Sequence, residues 1–157
     1  MPLLSYFYPL DSVHQWNRIY GKKGFYQYQC VIPKKLDGTN YLRKLLQSIS
    51  DAKTGSFLAI LKLFGPRDEP YLAFASKGYT LALDFPNRTG TEALFKKLDD
   101  IVLQSGGRLY LTKDARMSRT MFEEGYQQLG LFMAEKKRID PENRYTSIQA
   151  ERLGLVH

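Results

Sequence analysis

Residues 25–33 alternate. Phe25, Gln27, Gln29 and Val31 fall on one side of an extended chain, and Tyr26, Tyr28, Cys30 and Ile32 fall on the other. The run is rich in strand formers and Pro33 stops it, which predicts a first strand whose second face is core. Gly38-Thr39 opens a helical stretch in which Leu42, Leu45, Leu46 and Ile49 make one apolar stripe, closed by Lys53-Thr54-Gly55. Ser56 to Phe64 reads as a second strand. Its nearly continuous apolar run predicts cover on both faces, with Lys62 set among apolar neighbours. A proline-rich loop follows over 65–70, then a short edge segment from Tyr71 to Ala75.

Gly78 to Phe85 is the third strand, closed by Pro86. Thr89-Gly90-Thr91 offers a cap for a second helix with Leu94, Leu98, Ile101 and Val102 at helical spacing, and Ser105-Gly106-Gly107 ends it. Arg108 to Thr112 is a fourth strand. The order is β-α-β-β-α-β, which predicts an α+β, ferredoxin-like fold: an antiparallel sheet with two helices on one face. Ahead of it, Asp11-Ser12 caps a short helix from Val13 to Tyr20, ended by Gly21. Behind it lies a C-terminal helical segment. Ser118 or Thr120 caps a helix through Met121, Phe122, Tyr126 and Leu129. Asp140 to Arg144 turns, and Thr146 to Leu153 closes the chain with Gly154 beyond it.

The chain has 157 residues, enough for one domain or two small pieces sharing a core. With 43% hydrophobic and 25% charged residues it is no disordered chain. Lys and Arg outnumber Asp and Glu by 23 to 16, a formal charge of +7, which permits phosphates, nucleic acid or an anionic membrane as partners. The single cysteine excludes an intrachain disulfide and a cysteine-ligated zinc site. No apolar run nears the ~20 residues of a membrane span, and Met1 to Tyr8 lacks the build of a signal peptide. These features predict a soluble, cytoplasmic protein, with room for peripheral contact with a membrane.

Common chemical signatures are missing. The sequence holds no Gly-rich phosphate loop, no HExxH and no GxSxG, and His14 and His157 stand alone, so no metal site is expected. An RNA-recognition module shares the element order, and Lys77-Gly78-Tyr79 begins the third strand as such modules do. Leu81 then stands where a stacking aromatic belongs, and the first strand offers Gln27 and Gln29, which do not stack bases. A stand-alone basic module binding RNA or another anionic partner is therefore the weaker alternative, and nucleic acid is not the expected partner. Lys113 follows a strand end, a rigid platform from which an ammonium can stabilise developing negative charge. The competing reading is a surface cluster of Lys113, Asp114 and Arg116. Lys62 either snorkels to an edge or lines a cavity. Gln27 and Gln29 either bind a polyhydroxy ligand or form a solvated face.

Seven blocks in one order narrow these choices. They are Tyr8-Pro9-Leu10-Asp11, Trp16-Asn17-Arg18, Gly24 to Gln29, Lys62-Leu63-Phe64-Gly65, Leu83-Asp84-Phe85-Pro86, Gly106 to Tyr110, and Lys113-Asp114-Ala115-Arg116 with the closing Asp140-Pro141. Together they resemble the C-terminal part of FAD-linked sugar oxidoreductases. The nearest group is the decaprenylphosphoryl-β-D-ribose 2′-oxidases, with the aldonolactone oxidases (D-arabinono-1,4-lactone oxidase among them) as wider relatives. The resemblance implies that residues 1–106 are part of a substrate-binding domain and that residues 107–157 pack on an FAD-binding domain. That domain would belong to a longer polypeptide or to a partner chain. The cofactor implied is FAD, held mostly outside this chain, and the substrate implied is a sugar or sugar lactone. Lys113 matches a lysine beside the flavin and the reacting carbon, and Tyr110 a position that contacts FAD. Gln27, Gln29, Lys62 and Thr80 match positions lining the substrate pocket. Thr80 and Ala82 stand where mycobacterial members have asparagine and cysteine, and Phe7 where some relatives have tyrosine, which points to an altered sugar or lactone. Alone, the chain is expected to be inactive and to self-associate through surface the missing domain would cover.

Overall fold

A computed structural model describes residues 14–35, 37–66 and 70–156. The Asp11-Ser12 cap and Phe7 lie outside them. The elements are β1 (Phe25–Pro33), α1 (Gly38–Asp51), β2 (Ala59–Phe64), β3 (Gly78–Pro86), α2 (Thr91–Gln104), β4 (Arg108–Leu109), α3 (Arg119–Gly125), α4 (Leu129–Ile139) and α5 (Ile148–Leu153). A 3-10 turn, Trp16–Tyr20, precedes them and ends at Gly21, whose φ of 79° suits glycine. The sheet order is β2-β3-β1-β4 with every pair antiparallel. This is the ferredoxin-like arrangement that the element order predicts.

The alternation in β1 sorts its side chains as the pattern requires. Tyr28, Cys30 and Ile32 are buried, joined from β3 by Leu81, Leu83 and Phe85. Leu45 and Ile49 of α1 and Leu94, Phe95, Leu98 and Val102 of α2 close over them. Burying side chains such as Leu45 and Leu98, at 1% and 0% exposed, stabilises the fold by roughly 1.5–3 kcal/mol each. Tyr28 and Phe95 stack at 5.4 Å, and Phe85 meets Phe95 edge-on. Met117, Met121, Phe122, Tyr126 and Leu153 belong to the same buried cluster, so α3 and α5 share this core.

Two close approaches explain glycines beside β1. A Cβ on Gly107 would lie 2.2 Å from the Val31 carbonyl oxygen, and one on Gly78 would lie 2.2 Å from that of Ile32. Only glycine lets β3 and β4 pair this tightly.

Five expectations need correction. β2 is not covered on both faces: it is the sheet edge, and Leu61 and Leu63 remain 55% and 57% exposed. Leu46 also faces solvent, because α1 rolls so that Tyr41, Leu42, Leu45 and Ile49 face the core. The fourth strand pairs only at Arg108 and Leu109, since just Cys30 and Val31 oppose it, and residues 111–113 form a 3-10 turn. Residues 71–75 form a turn and an irregular stretch rather than an edge strand. Beyond α3, the helix does not run on through Leu129. Tyr126 donates its hydroxyl to the Leu109 carbonyl at 2.6 Å, which pins the chain there, and α4 starts afresh at Leu129.

Burial, the largest cause, pushes the Cys30 thiol from 9.0 up to about 12. The native chain should therefore resist an aromatic disulfide reagent at mildly alkaline pH and react fully in denaturant. The unfolded thiol ionises first, so stability should fall as pH rises from 9.0 toward about 12. Rapid native labelling would show that the β1 core face is open.

Candidate functional site

Directly opposed residues of an antiparallel pair project from the same face. Gln27 opposes Asp84, Gln29 opposes Ala82, and Val31 lies between Thr80 and Arg108. Thr80 in turn opposes Lys62. Gln27, Gln29, Thr80, Asp84, Lys62 and Arg108 therefore share the face that turns away from the helices. At one end of this face the 70–77 segment lies across the sheet. Phe74 stacks on Tyr110 at 4.5 Å and meets Phe64 edge-on at 6.3 Å. Arg108 donates to the Ala73 carbonyl at 2.8 Å. The Gln27 end of the face stays accessible.

Because β4 stops at Leu109, part of β1 has no partner on its β4 side, and the chain turns back beside it. A small cleft of about 20 Å³ opens there, room for about one water-sized group. Gln27, Gln29, Tyr110 and Lys113 line it, with Tyr26 and Phe95 among its apolar walls. The Tyr110 amide donates to the Gln29 carbonyl at 2.9 Å, which fixes the ring next to β1. Lys113 ends the 3-10 turn that follows, its amide donating to the Tyr110 carbonyl at 3.1 Å.

What holds this turn is Asp114. Its side chain is 3% exposed. One carboxylate oxygen accepts from the amides of Arg116 and Met117 at 2.9 and 2.6 Å, and the other accepts from Arg152 of α5 at 2.7 Å. Arg116 is held separately. It forms a two-pronged pair with Asp99 of α2 at 2.8 and 2.9 Å, and its guanidinium lies 4.4 Å from the Phe95 ring centre. Tyr28 donates to the same Asp99 at 3.0 Å. Burial first, then Cys30 and Asp99, raise its phenol well above 10.0, so it remains a donor.

The surface cluster of Lys113, Asp114 and Arg116 is therefore not what forms. Asp114 and Arg116 are structural and engaged elsewhere. Lys113 is half-buried at the cleft, with no ion-pair or hydrogen-bond partner for its ammonium among the described residues. An unpaired cation beside two amides and a phenol can bind an oxygen and stabilise negative charge that forms on it.

Of the candidates from the sequence, Gln27, Gln29, Tyr110 and Lys113 meet in one cleft. Lys62 is exposed on the edge strand, on the same face but two strands from Gln29, and does not line the cleft. Thr80 is 1% exposed. Its hydroxyl donates to the Cys30 carbonyl at 2.9 Å and accepts from Gln29 at 3.3 Å, so it reaches the cleft only through Gln29. The central open-face positions of β1 and β3 carry Gln27, Gln29, Thr80 and Ala82, so the stacking platform of an RNA module is not there. Sequence reasoning passed over Asp84, Asp99 and the anchoring part of Asp114. The last had a signal: an aspartate followed at two and three residues by free amides is an Asx turn.

No family model matches the chain. It is 34% identical over 154 residues, 98% of its length, to decaprenylphosphoryl-beta-D-ribose oxidase of Mycolicibacterium smegmatis. It is 32% identical over 147 residues, 93% of its length, to an uncharacterized protein in the mprA 5′ region of Streptomyces coelicolor. The chain spans 33% and 39% of the lengths of these relatives. The resemblance read from the short blocks thus extends over nearly every residue of this chain. It lends nothing to the RNA-binding alternative.

Asp114→Ala should lower the unfolding free energy by about 2–4 kcal/mol, because it strands two amides and a half-buried guanidinium. Urea denaturation measures this. A change within ~0.5 kcal/mol, the range of an ordinary surface substitution, would show that the corner does not depend on Asp114.

Proposed function

We propose that this chain is the C-terminal, substrate-covering part of an FAD-dependent oxidoreductase. The reaction is oxidation of a sugar or sugar-lactone alcohol by hydride transfer to flavin. The observation that carries this reading is the unpaired Lys113 ammonium in a cleft with Gln27, Gln29 and Tyr110. The similarity to a ribose oxidase along 98% of the chain supports it. The donor set fits the polar edge of a flavin ring: an ammonium with no partner among the described residues, beside a half-buried phenol. The phosphates of FAD find no Gly-rich loop in this sequence, so they would be held by another domain.

In this reading a bound flavin would supply the acceptor for the hydride that leaves the carbinol carbon. Gln27 and Gln29 hold the sugar ring by its hydroxyls. Lys113 orients the hydroxyl that becomes a carbonyl and places positive charge where negative charge gathers. The hydroxyl proton leaves to a base or to water. Tyr110, stacked on Phe74, walls the flavin side. Residues 107–157 seat on the FAD-binding domain, for which the exposed Leu131, Ile139, Tyr145 and Ile148 supply an apolar surface. A second copy of the chain would use the same surface when that domain is missing.

In the complete flavin-loaded enzyme, Lys113→Ala should lower turnover on the order of 10²–10³-fold and leave the flavin bound. Lys113→Arg should recover little, because a guanidinium is broader than a compact ammonium. Lys96→Ala, an exposed lysine on α2, is the control and should run at the normal rate. Asp114→Ala cannot serve as that control, since it loosens the turn that carries Lys113. Anaerobic bleaching of the flavin band by a prenylphosphoryl-ribose reads the step. Equal rates for Lys113→Ala and Lys96→Ala would remove Lys113 from the chemistry.

A further inference from the structure

The two cleft glutamines are tied down from behind, and the ties differ in chemistry from the cleft itself. Gln29 donates its amide nitrogen to the Thr80 hydroxyl oxygen at 3.3 Å. That hydroxyl donates its single proton to the Cys30 carbonyl at 2.9 Å. With its proton committed, the Thr80 oxygen can only accept, so the NH2 end of Gln29 must face it. Gln27 donates its amide nitrogen to Asp84 Oδ1 at 3.3 Å. A carboxylate is an acceptor only, so the NH2 end of Gln27 must face Asp84. Asp84 is 5% exposed and makes no ion pair among the described residues. Tyr20 donates its hydroxyl to the other carboxylate oxygen at 3.1 Å, and its phenol is raised from 10.0 by burial first and by Asp84 next. Neither glutamine can flip its amide without setting two acceptors against each other. Their side-chain amide oxygens accept no hydrogen bond from any described residue.

We propose that Asp84 and Thr80 are positioning residues that lock Gln27 and Gln29 as a pair of hydrogen-bond acceptors facing the cleft. The pair selects a ligand group that donates twice, two free hydroxyls of a polyol. At those two amide carbonyl oxygens it rejects a carbonyl, ether, carboxylate or phosphate oxygen, because two acceptors would then meet in a partly buried site. The acceptor side of the ligand falls instead to Lys113, which has only donors to offer. The cleft therefore reads its ligand with a polarity: hydroxyl donors toward β1, the oxygen that gains negative charge toward the 3-10 turn. The ligand half of this inference rests on the sugar-oxidoreductase reading. The locked amides do not.

The test uses the whole chain, labelled with nitrogen-15, and reads the side-chain amide signals of Gln27 and Gln29 without any flavin. In the native chain both should sit away from the free-amide position, with slowed proton exchange. Thr80→Val should return the Gln29 signals to the free position and leave those of Gln27 in place. Thr80→Ser keeps the hydroxyl and should restore the native spectrum, which separates the lost hydrogen bond from any loss of folding. Free-amide signals for both glutamines in the native chain would overturn the locked pair. The ligand half is read by titrating a short-chain prenylphosphoryl-β-D-ribose against its 2,3-di-O-methyl ether. The ribose should shift the Gln27 and Gln29 signals and bind about 10-fold more tightly than the ether. Thr80→Val should narrow that gap and Thr80→Ser restore it. Equal binding of the two probes, or no shift with the ribose, would overturn donor selection while leaving the amide geometry standing. Failure of the oxidation itself would show separately, as a flavin that the ribose does not bleach.

Discussion

Everything in this molecule hangs on the register of β1 against β3. Nine opposed pairs, from Phe25–Pro86 to Pro33–Gly78, hold two central strands together. A slip of one residue would send Tyr28, Cys30 and Ile32 to the open face and drive Gln27 and Gln29 under the helices. The core of aromatic and aliphatic side chains resists that slip on one face. The Gln29–Thr80 and Gln27–Asp84 hydrogen bonds resist it on the other. One register thus makes both the core and the polar face, and the two faces select it together.

A second constraint joins parts far apart in sequence. The turn after β4 leaves the sheet with no strand partner, and Asp114 holds it to α5 through Arg152. Arg116, two residues on, holds it to α2 through Asp99. Asp114 and Arg116, which follow Lys113 in the chain, are each committed to another partner, so neither pairs with its ammonium. With the Asp114 carboxylate taken by Arg152, Lys113 has no ion-pair partner among the described residues.

Much of this was legible beforehand, for local reasons. β1 and its two faces follow from strict alternation stopped by a proline. α2 follows from the spacing of Leu94, Leu98, Ile101 and Val102 between glycines, with Gly90 and Gly106 at φ 93° and 72°. The cleft residues Gln27, Gln29, Tyr110 and Lys113 were legible through the resemblance, and the two glutamines also through their shared parity. What was not legible is non-local. The apolar run of β2 looks like a buried strand, and only the strand order makes it an edge. Leu129 fits the spacing of α3, and only the hydroxyl of Tyr126 on the Leu109 carbonyl breaks the helix before it. Thr80 looks like a pocket residue by position, yet its side chain is buried and bonded to both Cys30 and Gln29. Asp84 looks like any strand-end carboxylate until Tyr20 and Gln27 are found on it, from 64 and 57 residues away in sequence.

The division of β1 into a core face and an open polar face proposed to bind substrate is tested most directly by two alanine substitutions one residue apart, each measured for stability and for substrate use in the flavin-loaded enzyme. Tyr28→Ala should cost roughly 3–5 kcal/mol of stability, the range for truncating a buried aromatic. Gln29→Ala should lower the unfolding free energy by only about 0.5–1.5 kcal/mol, the worth of one hydrogen bond, while raising KM for the ribose substrate, with the flavin still bound. If Gln29→Ala destabilises the protein as much as Tyr28→Ala and leaves KM unchanged, the face that carries the glutamines is packing surface and the account of the site is wrong.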